Sequence, residues 1–378
     1  MKITSLLLLL YLFFFSYDVK CQNKEEHSAP LVLQDTTSGY APLTTATLIL
    51  KKRGKMKPLL QFHDYLDNLV LLSNVGDSLQ ISFRNFHVLY NTDKGSAPFI
   101  VLPNDRIQVG LDSMGWLVLE TGIPTRDAEL NLFTSMVKAG KGDFTVSSVY
   151  KIMQEKSFAK RDSILEDRVK KEQTFFKEYS ANPLLRPEVQ SIARQFLLHH
   201  EMFEKFRVVS SMGGPEGELK SYYDQLAKYL QSQNRFSYYF PRFRFVAASS
   251  LNLGFITASA IKRKDAEWAS AKDFETNLTL AKSFFDSSLV EPVQYLLLKN
   301  PGNQKLANHK EQLLGYAARY PDTDFTRHLQ EELAYRESIN KNFAGNQLLG
   351  QKDATLPLEE LMAKKRGKVL YVDFWASW

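Results

Sequence analysis

Near the end of the chain an acid sits inside an apolar run, Val369-Leu370-Tyr371-Val372-Asp373-Phe374-Trp375. The run has the length and composition of a strand buried on both faces of an α/β sheet. Burial there would raise the pKa of the Asp373 carboxyl. Phe374 and Trp375 would pack the strand, and Trp378 would flank whatever follows it. The plainer readings are an Asp373 that faces solvent at the strand's end, and aromatics that fill a core without a part in catalysis.

Other residues have chemistry-bearing spacing. His199-His200-Glu201 and Glu204 fall on a predicted helix, where His200 and Glu204 share a face at i,i+4 spacing. Two such side chains could ligate a metal, but Glu204 stands where a His-Glu-x-x-His motif needs its second histidine. A solvated helix face is the expectation, and no metal is expected. Gly213-Gly214 lacks the lysine and Ser/Thr of a phosphate loop, and no Gly-x-Ser-x-Gly elbow occurs. The stretch Phe236 to Phe245 interleaves aromatic and basic residues, which stack on bases or sugars in some proteins; packing between helices is the expectation.

These residues need elements to position them, and the pattern divides into parts. The 378 residues exceed one ordinary core, and 44% hydrophobic content is that of a globular protein. The net charge of +6 is spread along the chain with no clustered nucleic-acid-binding motif, so no nucleic acid is expected as a partner. Residues 44–125 carry short apolar runs with turn residues between them: Ala46 to Leu50, Leu69 to Leu72, Leu79 to Phe83, Phe99 to Leu102, Ile107 to Leu111 and Trp116 to Glu120. They predict a small antiparallel β domain. Gly76-Asp77-Ser78 and Pro103-Asn104-Asp105 each precede a strand and read as ordinary turns.

Residues 126–345 show helical periodicity and predict an all-α domain of seven to nine helices. Its segments are Asp143 to Tyr179, Glu188 to Val209 behind Pro187, Glu216 to Ser232, Lys264 to Ser287, Glu291 to Leu298, Gln304 to Arg319 and Asp324 to Phe343. Residues 346–378 read as a polar, glycine-bearing linker and then a short amphipathic helix from Leu358 to Lys365. Gly367 stops that helix ahead of the apolar strand.

The first residues read as a targeting signal. Lys2 supplies a positive end, and Leu6 to Phe15 are apolar but short for a membrane span. Residues 1–22 are therefore expected to be a secretory signal peptide cleaved near Gln22, with an uncleaved membrane anchor as the alternative, and residues 23–43 a flexible segment. Cys21 is the single cysteine, and Lys20 and Asp18 do not suit a lipidation site. Cleavage after Gln22 would leave a mature chain with no thiol and no structural disulfide.

Gly367-Lys-Val-Leu-Tyr-Val-Asp-Phe-Trp-Ala-Ser-Trp378 resembles the thioredoxin superfamily, in which this strand leads into a Cys-x-x-Cys motif at a helix N-terminus. The likeness is greatest to exported TlpA-type thiol-disulfide oxidoreductases of Bacteroidetes-like bacteria. Those proteins place a Gly-Lys pair before the strand and have a similar order of signal peptide, β domain, helical domain and terminal thioredoxin domain. The resemblance gives Asp373 proton transfer to or from the resolving thiol, and makes Phe374, Trp375 and Trp378 the residues that flank the disulfide. It implies a multidomain fold: N-terminal antiparallel β domain, all-α middle domain, and the first helix and strand of an incomplete α/β thioredoxin-like domain.

The activity implied is reduction or isomerisation of disulfides, without cofactor, in the periplasm or cell envelope. Its partners would be exported disulfide proteins and a membrane-linked electron donor. The first cysteine of the motif would follow Trp378, so the chain as given is expected to be inactive, with residues after about Ala344 weakly ordered. A gene fragment, a nonsense mutation or a selenocysteine codon read as a stop would each give such an ending. The competing expectation is a non-catalytic periplasmic binding or partner-docking protein.

Overall fold

The computed structural model describes residues 43–50, 60–72, 78–91, 97–113, 115–145, 151–152, 154–155, 157–181, 183–211, 216–252, 271–344, 347–349 and 355–357. The chain falls into two compact units, Met1–Asp324 and Phe325–Trp378. Two four-stranded sheets and a two-stranded ladder accompany ten α-helices among the described residues, a mixed and mainly helical architecture. Both four-stranded sheets and most of the helices lie in the first unit.

One sheet has the order β4-β1-β7-β8: Leu79–Arg84, Leu43–Leu50, Arg106–Leu111 and Leu117–Glu120. Alternation positions it, because Leu79, Ile81 and Phe83 are buried while Gln80 and Ser82 are half-buried. The second sheet, β3-β2-β5-β6, comprises Leu69–Leu72, Leu60–His63, His87–Asn91 and Pro98–Val101, and all its ladders are antiparallel. The expectation of a purely antiparallel β domain is corrected at one ladder, since β1 and β7 run parallel with Leu48 opposite Ile107. The chain leaves β4 to build β5 and β6 in the other sheet, and β7 then returns beside β1 in the same direction.

Pro103-Asn104-Asp105 is the turn into β7. Asn104 adopts a left-handed φ of 66°, which Asn tolerates, and the Leu102 amide donates to Asp105 Oδ2 at 2.8 Å. The sheets meet at His87, whose ring stacks on Phe83 of the first sheet and lies edge-on to Phe62 of the second.

The helices follow. α1 (Pro124–Leu130) opens with Pro at its first turn, and the Thr121 amide and hydroxyl both donate to Asp127 Oδ1. α2 is Leu132–Lys138, α3 Phe158–Ser180, α4 Pro187–Ser211, α5 Glu216–Gln231, α6 Pro241–Asn252 and α7 Ala271–Phe284. α8 (Ser287–Lys299) and α9 (His309–Arg319) complete the first unit, apart from Asp324 at the start of α10 (Asp324–Ala344). α8 begins before the predicted Glu291 because Asp286 caps it, accepting from the Ser288 amide. Pro292 inside it cannot donate to the Ser288 carbonyl; Arg235 Nη1 does so instead at 2.9 Å.

Phe236 to Phe245 packs as expected: Tyr238, Phe240 and Phe243 are buried, and Phe86 of the β4–β5 turn meets Phe236, Tyr239 and Phe240. The loop between β2 and β3 is held from two helices. Arg244 of α6 donates to the Asp64 and His63 carbonyls and pairs with Asp67 at 3.0 Å. Tyr295 of α8 donates to the Leu66 carbonyl at 2.7 Å, and Lys299 joins it there. Burial pushes the Asp67 carboxyl up, but Arg244 and then His63 outweigh it and hold the group well below the usual carboxylate range.

The second unit holds α10 from Phe325 and a short antiparallel ladder, β9 (Gln347–Leu349) against β10 (Thr355–Pro357). Thus part of the stretch read as a linker is paired. The predicted helix from Leu358 to Lys365, the strand from Val369 to Trp375 and the leader lie outside the described residues. Among the described residues no helix is long and apolar enough to cross a membrane.

Candidate functional site

Asp373, Phe374, Trp375 and Trp378, along with Cys21 and Gly213-Gly214, lie outside the described residues. The other sequence candidate, His200 with Glu204, is described, and its expected solvation is corrected. His200 and Glu204 are each 1% exposed, and His199 is fully buried. The face they share points into the bundle, because α4 is covered on more than one side: Phe133 and Phe144 pack on its Phe196, and Phe245 packs on Phe203.

Burial of charge demands partners, and they come from other helices. Arg168 and Glu172, four apart on α3, share one face; Arg168 ion-pairs with Glu204. His200 Nε2 lies 3.7 Å from Glu172 Oε1 and 3.6 Å from Glu204 Oε1, close enough for electrostatic coupling but beyond hydrogen-bond reach. Among the described residues neither ring nitrogen of His200 has a side-chain hydrogen-bond partner, while the backbone of Asp143 approaches the ring. Arg242 of α6 faces the same group, donates to the Phe144 carbonyl at 3.1 Å and lies over the Phe196 ring, 5.1 Å from its centroid.

The cluster's protonation follows from its burial. Desolvation, then the neighbouring Glu204, pushes Glu172 up to about 8. Desolvation likewise raises Glu204 to about 7, against the opposing pull of Arg168 and Arg242. The same burial, with Arg242 and Arg168 adding to it, drives His200 well below its ordinary value, so the imidazole is neutral. His199 is held down to about 3 by burial, and its Nδ1 meets the Tyr229 hydroxyl.

Such an arrangement can store a proton between carboxyls and move it within the group. Among the described residues no group of three or more His, Cys, Asp or Glu is placed to hold a metal ion. Sequence reasoning found His200 and Glu204 but not Arg168, Glu172 or Arg242. The i,i+4 Arg168/Glu172 pair on a helical pattern was the available signal, and nothing local ties it to α4. Searches against family models, curated proteins and solved structures returned no match.

Proposed function

We propose that the protein is an exported thiol-disulfide oxidoreductase of the thioredoxin-like, TlpA type, with its redox centre at the segment ending in Trp378. The observation that carries this reading is the twelve-residue run Gly367 to Trp378, in which one acid is embedded in an apolar, aromatic sequence. Asp373 serves as the proton-transfer group, Phe374, Trp375 and Trp378 shield the disulfide, and the thiolate nucleophile follows Trp378. The one cysteine among the 378 residues, Cys21, lies in the leader, so these residues alone do not supply that nucleophile. The β-rich and helical parts ahead of the run accord with the order of parts in such proteins. Partners are exported disulfide proteins and a membrane-linked electron donor, in the periplasm or cell envelope.

The test is insulin reduction by the chain extended with the coding sequence downstream of Trp378. Activity is expected there and not in the 378-residue chain, and Asp373→Asn should slow turnover and shift its pH profile. A continuation that encodes neither a cysteine pair nor a selenium equivalent would leave the alternative, a non-catalytic partner-docking protein, in its place.

A further inference from the structure

α3 is a long helix with few anchors. Of its 23 residues only Arg161, Leu165, Glu172 and Phe176 are buried, and two of those four are charged types. Leu165 joins a small core with Ile152, Val208, Val209 and Tyr222, while Phe176 lies a full three turns further on. Phe158 and Val169 pack half-buried on that core, and the polar contact of α3 with α4 rests on Arg168 and Glu172 against His200 and Glu204. α8 is built differently: Leu289, Val293, Tyr295, Leu296, Leu297 and Leu298 are all buried along its 13 residues.

We infer that Glu172, His200 and Glu204 form a proton-operated latch, in which a proton held between α3 and α4 keeps α3 docked and its loss releases α3 from the bundle.

The titratable and charged groups facing the latch are Arg168 from α3, Arg242 from α6 and Asp143 from the segment after α2, with Tyr90 of β5 behind Arg242. Arg168 is committed to Glu204. Arg242 is spread over aromatic faces and the Phe144 carbonyl, and no arginine pairs directly with Glu172 among the ion pairs described. A protonated Glu172 beside neutral His200 leaves no second carboxylate to be compensated. An ionised Glu172 places two carboxylates around one imidazole in a water-poor site, and opening α3 returns one of them to water.

The sign follows from linkage. Closed α3 retains a proton that open α3 gives up, so the opening equilibrium rises with pH, about tenfold per pH unit for one proton between pH 6 and 8. The experiment is hydrogen exchange on the full chain, resolved by mass spectrometry and scaled for intrinsic amide rates, between pH 6 and 9. Protection over Phe158–Ser180 should fall at least tenfold while that over Ser287–Lys299 stays constant, and Glu172→Gln should hold α3 protected at pH 9. Protection that is flat over α3, falls equally in α8, or is unaffected by Glu172→Gln overturns the inference. Infrared spectroscopy of the unmodified protein reads the same proton without a variant: a protonated-carboxyl band should vanish with a midpoint between pH 7 and 9. Absence of any such band at pH 6 also overturns it.

Discussion

Arg126 grips Asp105 with two nitrogens, Nε to Oδ1 at 3.0 Å and Nη2 to Oδ2 at 2.7 Å, and so ties the first turn of α1 to the turn that launches β7. Its remaining nitrogen donates to Glu129 Oε2 at 3.0 Å, and Glu129 also receives the amide, Nε and Nη2 of Arg186 just ahead of α4. Burial pushes the Glu129 carboxyl up, but the Arg186 and Arg126 hydrogen bonds outweigh it and hold the group below the usual carboxylate range. β-sheet, α1 and the entrance to α4 are thus joined by one charged chain across the 125/126 border, in place of a flexible connection.

Removing the central member leaves Asp105 without its cation and Glu129 held by Arg186 alone. Arg126→Ala should destabilise the protein by about 3–5 kcal/mol, read from the urea midpoint at pH 7. Arg126→Lys, which keeps the charge but not the planar fork, should recover only part of the loss.

The β2–β3 loop offers a graded comparison. Tyr295→Phe deletes one hydrogen bond to the Leu66 carbonyl, while Lys299 still donates there, so the cost should be about 0.5–1.5 kcal/mol. Arg244→Ala should cost more in the same denaturation measurement, because it releases two carbonyls and leaves Asp67 without the cation that holds its carboxyl down.

On the acid side, three buried histidines control stability. His87 and His199 are each depressed to about 3 by burial, and His200 also lies well below its ordinary value. All three are neutral when folded and take up protons when unfolded, so the stability they supply is complete above pH 6.5 and drains as pH falls below it, toward 3 for His87 and His199. The slope should be about 1.4 kcal/mol per pH unit for each group, and His87→Leu should make the acid limb shallower by one group's share.

The raised carboxyls act oppositely. Glu172 at about 8 and Glu204 at about 7 bind protons in the folded state that the unfolded chain releases from about pH 4.5, so each lowers stability as pH rises through that window. Below pH 6.5 three histidines outweigh two carboxyls, and above it only the carboxyls titrate. A stability maximum near pH 6.5 is therefore expected in a urea series across pH, with Glu172→Gln flattening the alkaline limb.

Much of the fold was legible where periodicity is local. β1, β4, β7 and β8, and α4, α5 and α10, fall close to the stretches their patterns marked. β2 and β5 were not seen, because Leu-Gln-Phe-His and His-Val-Leu-Tyr-Asn are short and each carries a histidine, of which His87 sits at a position that only sheet-to-sheet packing makes apolar. α6 was hidden in the aromatic run from Phe236 to Phe245, whose type gave packing but not a helix boundary. The polar cluster was half legible: His200 and Glu204 stood out by spacing, yet a helix pattern does not say which neighbour covers a charged face. The covering groups, Arg168, Glu172 and Arg242, sit about thirty to forty residues away in the chain.

β1 is the first described strand and also an interior one, flanked by β4 and by β7. Its parallel neighbour, Arg106–Leu111, is made some sixty residues later, so the sheet cannot close around its own middle until the polypeptide has emerged past that point. During synthesis Leu43–Leu50 would wait with one edge unpaired, an interval open to mispairing that a sheet begun from its rim would avoid.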